Sequence, residues 1–160
     1  MLKDKILKLL EDNCLLTHEQ IATMVDTDVD TVNNIVEEAK KEGTLLGYRA
    51  QINWDNSNIK ETTAIIELKI TPQQGKGFDA VAERICQYPQ VESLFLLSGG
   101  FDMLVTVRDK SLRDVALFVS GTLATIDGVT STATHFILKR YKDNGTIFVN
   151  KNDDNRQVIS

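Results

Sequence analysis

Ser98-Gly99-Gly100-Phe101-Asp102 is the stretch whose residue types and spacing can do chemistry. Gly99 and Gly100 take positive φ without a Cβ clash, and a turn built on them leaves backbone amides bare at a surface. Bare amides hold a carboxylate, and Asp102 can receive an ammonium, so the stretch can hold the two ends of an amino acid. An ordinary hairpin with an exposed Asp is the competing reading, because Gly-Gly is common turn chemistry. Nothing else in the chain suggests catalysis. His18 and His135 are isolated, and Lys76 between Gly75 and Gly77 lacks the rest of a phosphate-binding loop. His135 falls in a strand pattern and reads as structural. Cys14 and Cys86 lie far apart with no Cys-x-x-Cys, so reduced, buried thiols are expected and a metal site is not. No enzyme, metal or cofactor is predicted.

The glycines must be positioned by their flanks. Apolar runs at 94–97 and 103–107 predict two strands joined by a tight turn. Upstream, 62–71 alternates, with Ala64, Ile66, Leu68 and Ile70 on one face, and Pro72 closes that strand. Phe78, Val81, Ala82 and Ile85 recur at helical spacing within 76–88, and Pro89 ends the helix. Leu112, Val115, Ala116 and Val119 mark a second helix over 111–123, capped by Ser111. A last strand is expected over 130–141. The order β-α-β-β-α-β is the ferredoxin-like arrangement. Leu94, Phe95, Leu96 and Leu97, and again Phe136, Ile137 and Leu138, place apolar residues on both strand faces. Two helices cover only one face of such a sheet, and a second copy of the domain is the economical cover for the other.

The first third has a different pattern. Leu2, Ile6, Leu9 and Leu10 form a helical stripe that stops near Asp12-Asn13. Thr17-His18-Glu19-Gln20 is a capping box that opens a second helix with Ile21, Met24 and Val25. Asp28 caps a third, with Val29, Val32, Val36 and Ala39 on one face and Gly43 at its end. The run 45–52 reads as a short strand. Three helices with a short second connection, plus a strand as wing, suit a winged helix-turn-helix. Such a unit binds DNA or docks a protein.

Charge is uneven. The 160 residues carry a net −5, which gives no overall basic footprint for nucleic acid. Residues 1–55 hold six Lys/Arg against eleven Asp/Glu, whereas the remainder is balanced. No apolar run approaches membrane-spanning length and the start is a charged amphipathic stretch, so a cytoplasmic protein is expected. The expected layout is a helix-turn-helix domain over 1–53, a polar linker over 54–61, a ferredoxin-like domain over 62–145, and a polar tail over 146–160 that is mobile or clasps a partner.

This α+β plan resembles the leucine-responsive/asparagine-regulator (Lrp/AsnC) family of transcriptional regulators over about residues 2–145. The likeness is carried by Gly43-Thr44-Leu45-Leu46-Gly47-Tyr48-Arg49-Ala50, by Ser98–Asp102, similar to the family's Gly-x-Tyr-Asp loop with Phe for Tyr, and by residues 130–138. The resemblance implies a double-stranded DNA partner. It also implies a homodimer assembling to a tetramer or octamer, and an amino acid bound between dimers. Its effector candidates are Ser98, Gly99, Gly100, Phe101, Asp102, Thr132 and Thr134, with loop amides on the α-carboxylate and Asp102 on the α-ammonium.

The third helix departs from the family. Positions where the family usually has Arg match Ile35, Glu37 and Glu38, and Asp26, Asp28 and Asp30 crowd the helix start. Carboxylates there oppose phosphate, which supplies much of the affinity for DNA. The candidate DNA contacts are Thr31, Asn33, Asn34, Lys40, Lys41 and Arg49. Asn33 and Asn34 are either base readers or solvated amides. Each domain alone is expected to bind DNA weakly, with avidity in an oligomer as compensation. The alternative is a metabolite-sensing oligomer whose acidic helical domain docks a protein.

Overall fold

The computed structural model describes residues 1–71 and 77–148. The chain divides into two compact units, Met1–Gln51 and Ile52 onward. Expectations for Pro72, Gly75 and Lys76, and for the tail from 149, lie outside the described residues.

In the first unit, α1 (Leu2–Asp12), α2 (His18–Val25) and α3 (Val29–Lys41) close on Ile6, Leu10, Ile21, Ala22, Val32 and Val36. The Thr17 capping box forms in full, with the Gln20 amide on the hydroxyl and the Gln20 side chain on the Thr17 amide. Thr17→Ala removes one half of it and should cost about 1 kcal/mol of stability, readable as a lower urea midpoint at unchanged m-value. A three-residue connection, with Asp26 left-handed at φ 55 and Asp28 as the next N-cap, turns α2 into α3. Gly43, at φ +73, ends α3, with its own amide on the Lys40 carbonyl and the Thr44 amide on Ala39.

The wing strand expected over 45–52 does not form: this stretch has no strand among the described residues, and Leu46 is 92% exposed. A strand needs a partner edge, and the helical unit supplies none.

The second unit opens with a 3-10 turn, Trp54–Asn56, inside the expected linker. It continues as β1 (Thr62–Ile70), α4 (Asp79–Cys86), β2 (Val91–Leu96), β3 (Met103–Asp109), α5 (Leu112–Gly121) and β4 (Val129–Phe136). The sheet is antiparallel in the order β2-β3-β1-β4. Ala64, Ile66, Leu68 and Ile70 point to the helices, where they meet Met103, Val105, Val107, Val115, Phe118 and Leu123. Ser111 caps α5 through the Asp114 amide. Phe118 and Leu123 carry more of this core than Leu112, which is 56% exposed.

The expected two-faced character of β2 is realised. Leu94 and Leu96 pair with Val105 and Met103 on the helix side, and Phe95 pairs with Leu104 on the open side. The open face is otherwise mixed: Ile65 and Ala133 lie among Thr106, Lys69, Ser131 and a Glu67–His135 pair at 3.2 Å. The last strand is shorter than expected. It ends at Phe136, one further bond runs from the Ile137 amide to Thr63, and Leu138 is 96% exposed. The chain then folds into a small hairpin, β5 (Lys142–Asp143) and β6 (Thr146–Ile147), over Asn144-Gly145, both left-handed. The first residues of the expected tail thus belong to this unit. Cys14 and Cys86 are exposed, not buried, because Cys14 lies beyond the end of α1 and Cys86 is the outer last residue of α4.

Candidate effector loop and nucleic-acid interface

The glycine turn is not tight. β2 and β3 are joined by a six-residue loop, 97–102, closed by the Leu97 amide on the Asp102 carbonyl at 2.8 Å. Only Gly99 of the two glycines takes positive φ, at +150, and a Cβ at either would meet nothing within 4 Å. Backbone conformation, not space, calls for glycine at 99. The reason for the longer loop is Asp102, which is tied to a third strand. Its amide donates to the Leu68 carbonyl at 2.9 Å, and its Oδ2 accepts from the Ile70 amide at 2.7 Å. Ile70 sits where the β1–β4 register shifts, so the carboxylate satisfies an amide at a β-bulge. The amides of Ser98, Gly99, Gly100 and Phe101 make no hydrogen bond among the described residues, and all but Phe101 are exposed residues. The loop therefore presents free donors, as an anion site requires, whereas Asp102 already has a structural task.

Thr132 and Thr134 sit opposite Leu68 and Ile66 on the helix-covered face, half-buried. Thr132 and the loop flank the same residue of β1, Leu68, from its two sides. The structure thus brings Thr132 level with the loop with one strand between them, and sets Thr134 a step further away.

On α3, Val32, Val36 and Ala39 are buried and Ile35 packs half-buried on the core, so Ile35 does not share the exposed face. Asp30, Asn34, Glu37, Glu38 and Lys41 are exposed. Thr31, Asn33 and Lys40 are already engaged. The Thr31 amide and hydroxyl both donate to Asp28 at 2.7 Å, Asn33 pairs through Oδ1 with His18 Nδ1, and Lys40 pairs with Glu37 at 2.8 Å. His18 is thus no isolated residue; its partner lies fifteen positions away, which no local pattern reveals. Asn34 and Lys41 are exposed, and so is Arg49, which has an interaction of its own.

The Thr31 hydroxyl and amide hold the Asp28 carboxyl below the usual carboxylate range. A depressed folded value means that the cap is complete above the ordinary range and lost as pH falls through the depressed one. Thermal midpoints of the parent and Asp28→Ala should therefore differ at neutral pH and converge in acid.

Among the described residues no cluster of three or more His, Cys, Asp or Glu is placed to hold a metal, and no helix is long and apolar enough to cross a membrane.

Comparison with known proteins bears on both units. The profile of the Lrp/AsnC ligand binding domain matches residues 63–147. The chain is 45% identical over 157 residues to the uncharacterized HTH-type transcriptional regulator YugG of Bacillus subtilis (strain 168), covering 98% of this chain and 95% of that one. Among solved structures it is similar to a transcriptional regulator of Neisseria meningitidis in complex with L-Met, at 25% identity and a TM-score of 0.70, over 89% of this chain and 91% of that one. It shares its fold with the leucine response regulatory protein LrpA of Mycobacterium tuberculosis, at 20% identity and a TM-score of 0.76, over 92% and 98% of the two chains.

Proposed function

The chain belongs to the Lrp/AsnC family of transcriptional regulators, and from that premise we propose that it binds double-stranded DNA through α3 and its neighbouring cations under the control of an amino acid held at the 98–102 loop. The observation that carries this reading is the pairing, in one chain, of a capped helix-turn-helix with four consecutive unbonded amides in the loop of the family's ligand-binding domain. Loop amides from Ser98 to Phe101 take the α-carboxylate, and Thr132 lies level with them. The regulator is cytoplasmic, with no catalytic step. A salt titration of binding to the DNA upstream of its own gene, with and without pooled amino acids, tests it. The reading requires a negative slope of log K against log salt that shifts with amino acids; no binding at low salt overturns it.

Assembly is part of the proposal. The open sheet face carries Phe95, Leu104, Ile65 and Ala133 without a covering layer, and a second copy covers it. Pairs of dimers then build a tetramer or octamer, with the effector between dimers. Light scattering at micromolar concentration should give at least twice the 17.9 kDa chain mass; a 17.9 kDa species refutes it.

One observation favours a second reading. Asp26, Asp28, Asp30, Glu37 and Glu38 are all exposed on the α2–α3 side that would meet phosphates. Under this reading the helical unit docks a protein, and the same titration shows no DNA binding while amino-acid binding persists.

A further inference from the structure

The open face of the sheet carries a titratable pair among its apolar residues. Glu67 on β1 and His135 on β4 both stand on it, with Glu67 Oε1 3.2 Å from His135 Nε2. Their register neighbours bring no charge: Glu67 lies between Leu104 and Ala133, and His135 lies opposite Ile65. In the single chain water still reaches the pair, with the Glu67 side chain 35% and the His135 side chain 59% exposed. The other charges near this face are engaged or peripheral. Arg108 on β3 stands opposite Thr63, two same-face steps along β1 from Glu67, and pairs with Glu61 at 3.3 Å and with Glu92 of β2 at 2.9 Å. Lys69 is exposed at the end of β1, beside the register shift, and makes no ion pair with Glu67 among the described residues. Past β4, Lys139 lies over the Tyr141 ring and Arg140 pairs with Asp143.

Imidazole changes charge between about pH 5 and 8. With neutral imidazole the pair carries a single negative charge. One added proton makes it neutral overall, as carboxylate with imidazolium or as carboxylic acid with imidazole. Water solvates both states. An apolar cover does not, because an unneutralised charge taken out of water costs far more than a hydrogen-bonded neutral pair. Resting on the reading that a second copy covers this face, we infer that the pairing of two chains is coupled to proton uptake at Glu67–His135, so that acidification tightens the homodimer and rising pH loosens it. The covered pair holds its proton more strongly than the open one. The contribution to dimer affinity is therefore complete below the pH at which the single chain titrates, and it is lost as pH rises through the higher value of the dimer. Each copy brings its own pair, so the dimer takes up as many as two protons. Homodimer formation thereby becomes a pH-sensitive step.

Sedimentation equilibrium of the full-length chain at pH 6.0, 7.0 and 8.0, at constant ionic strength, reads the dimer dissociation constant. The expected result is a Kd about tenfold larger at pH 8.0 than at pH 6.0. His135→Gln removes the imidazole and should flatten the series. It also separates this effect from His18, the chain's other histidine, which lies in the first unit. Glu67→Gln should reverse the sign. Its pair is uncharged while His135 is neutral, and protonation then adds a charge without a partner, so acid loosens this dimer. A contact that only fills space has no such reversal. A parent dimer whose constant does not move with pH overturns the coupling and leaves the covered face standing. So does a dependence that persists undiminished in His135→Gln or keeps its sign in Glu67→Gln. A 17.9 kDa species at every pH overturns the covered face, and the coupling with it.

Discussion

Glu37→Arg combined with Glu38→Arg is expected to strengthen binding to random-sequence double-stranded DNA by decades at low salt. Both glutamates are exposed on α3, outside the core formed by Val32, Val36 and Ala39. The exchange does more than add two cations. Glu37 is paired with the exposed Lys40, so removing it also frees the Lys40 charge. Each further phosphate neutralised steepens the dependence of log K on log salt by about 0.9, so the slope should steepen by about two to three units. Folding is little affected, because the substitutions lie on a solvated helix face away from the core. Parent and double variant can be compared by fluorescence anisotropy on one DNA across a salt series. A double variant that binds no better than the parent shows that α3 does not face DNA. Tighter binding at low salt with an unchanged slope shows that the added cations do not reach phosphates.

The second large effect concerns Asp102. Asp102→Ala leaves the Ile70 amide at the β-bulge without its partner, at a cost of about 1–3 kcal/mol, and frees the 97–102 loop from β1. If the loop amides hold an amino acid's carboxylate, their loss of order should weaken that ligand by about tenfold to a hundredfold. Asp102→Asn separates the two roles open to this side chain. An amide oxygen still accepts from Ile70, so a positioning Asp102 is rescued by Asn. A carboxylate that pairs with the ligand's ammonium is not rescued, because the charge is gone. Calorimetry on the three proteins against the common amino acids decides between them. Equal affinity in the parent and Asp102→Ala removes Asp102 from either role.

Much of this was legible in the sequence because it is local. The Thr17–Gln20 box, the Asp28 and Ser111 caps, the Gly43 stop and the period-2 alternation of β1 each depend on residues within one turn or one strand. The parts that were not legible depend on distant partners. Asp102 reads as a free carboxylate until folding brings Ile70 beside it from 32 positions away. Asn33 reads as a base reader or a solvated amide until His18 pairs with it. The stretch 45–52 has the alternation of a strand and lacks an edge to join. Cys14 lies past the end of α1, which the sequence also places near Asp12, and its side chain is exposed.

The exposure of both cysteines supplies a molecular ruler. Cys14 belongs to the first unit and Cys86 to the second, and the chain contains no other thiol. Maleimide dyes or nitroxides can therefore be placed on each unit of the wild-type protein without any engineered substitution. With labelled chains diluted into unlabelled ones, energy transfer or dipolar coupling then reads the span between the DNA-facing unit and the ligand-sensing unit. Adding an amino acid or DNA turns that span into a direct record of whether the signal travels as a change in spacing.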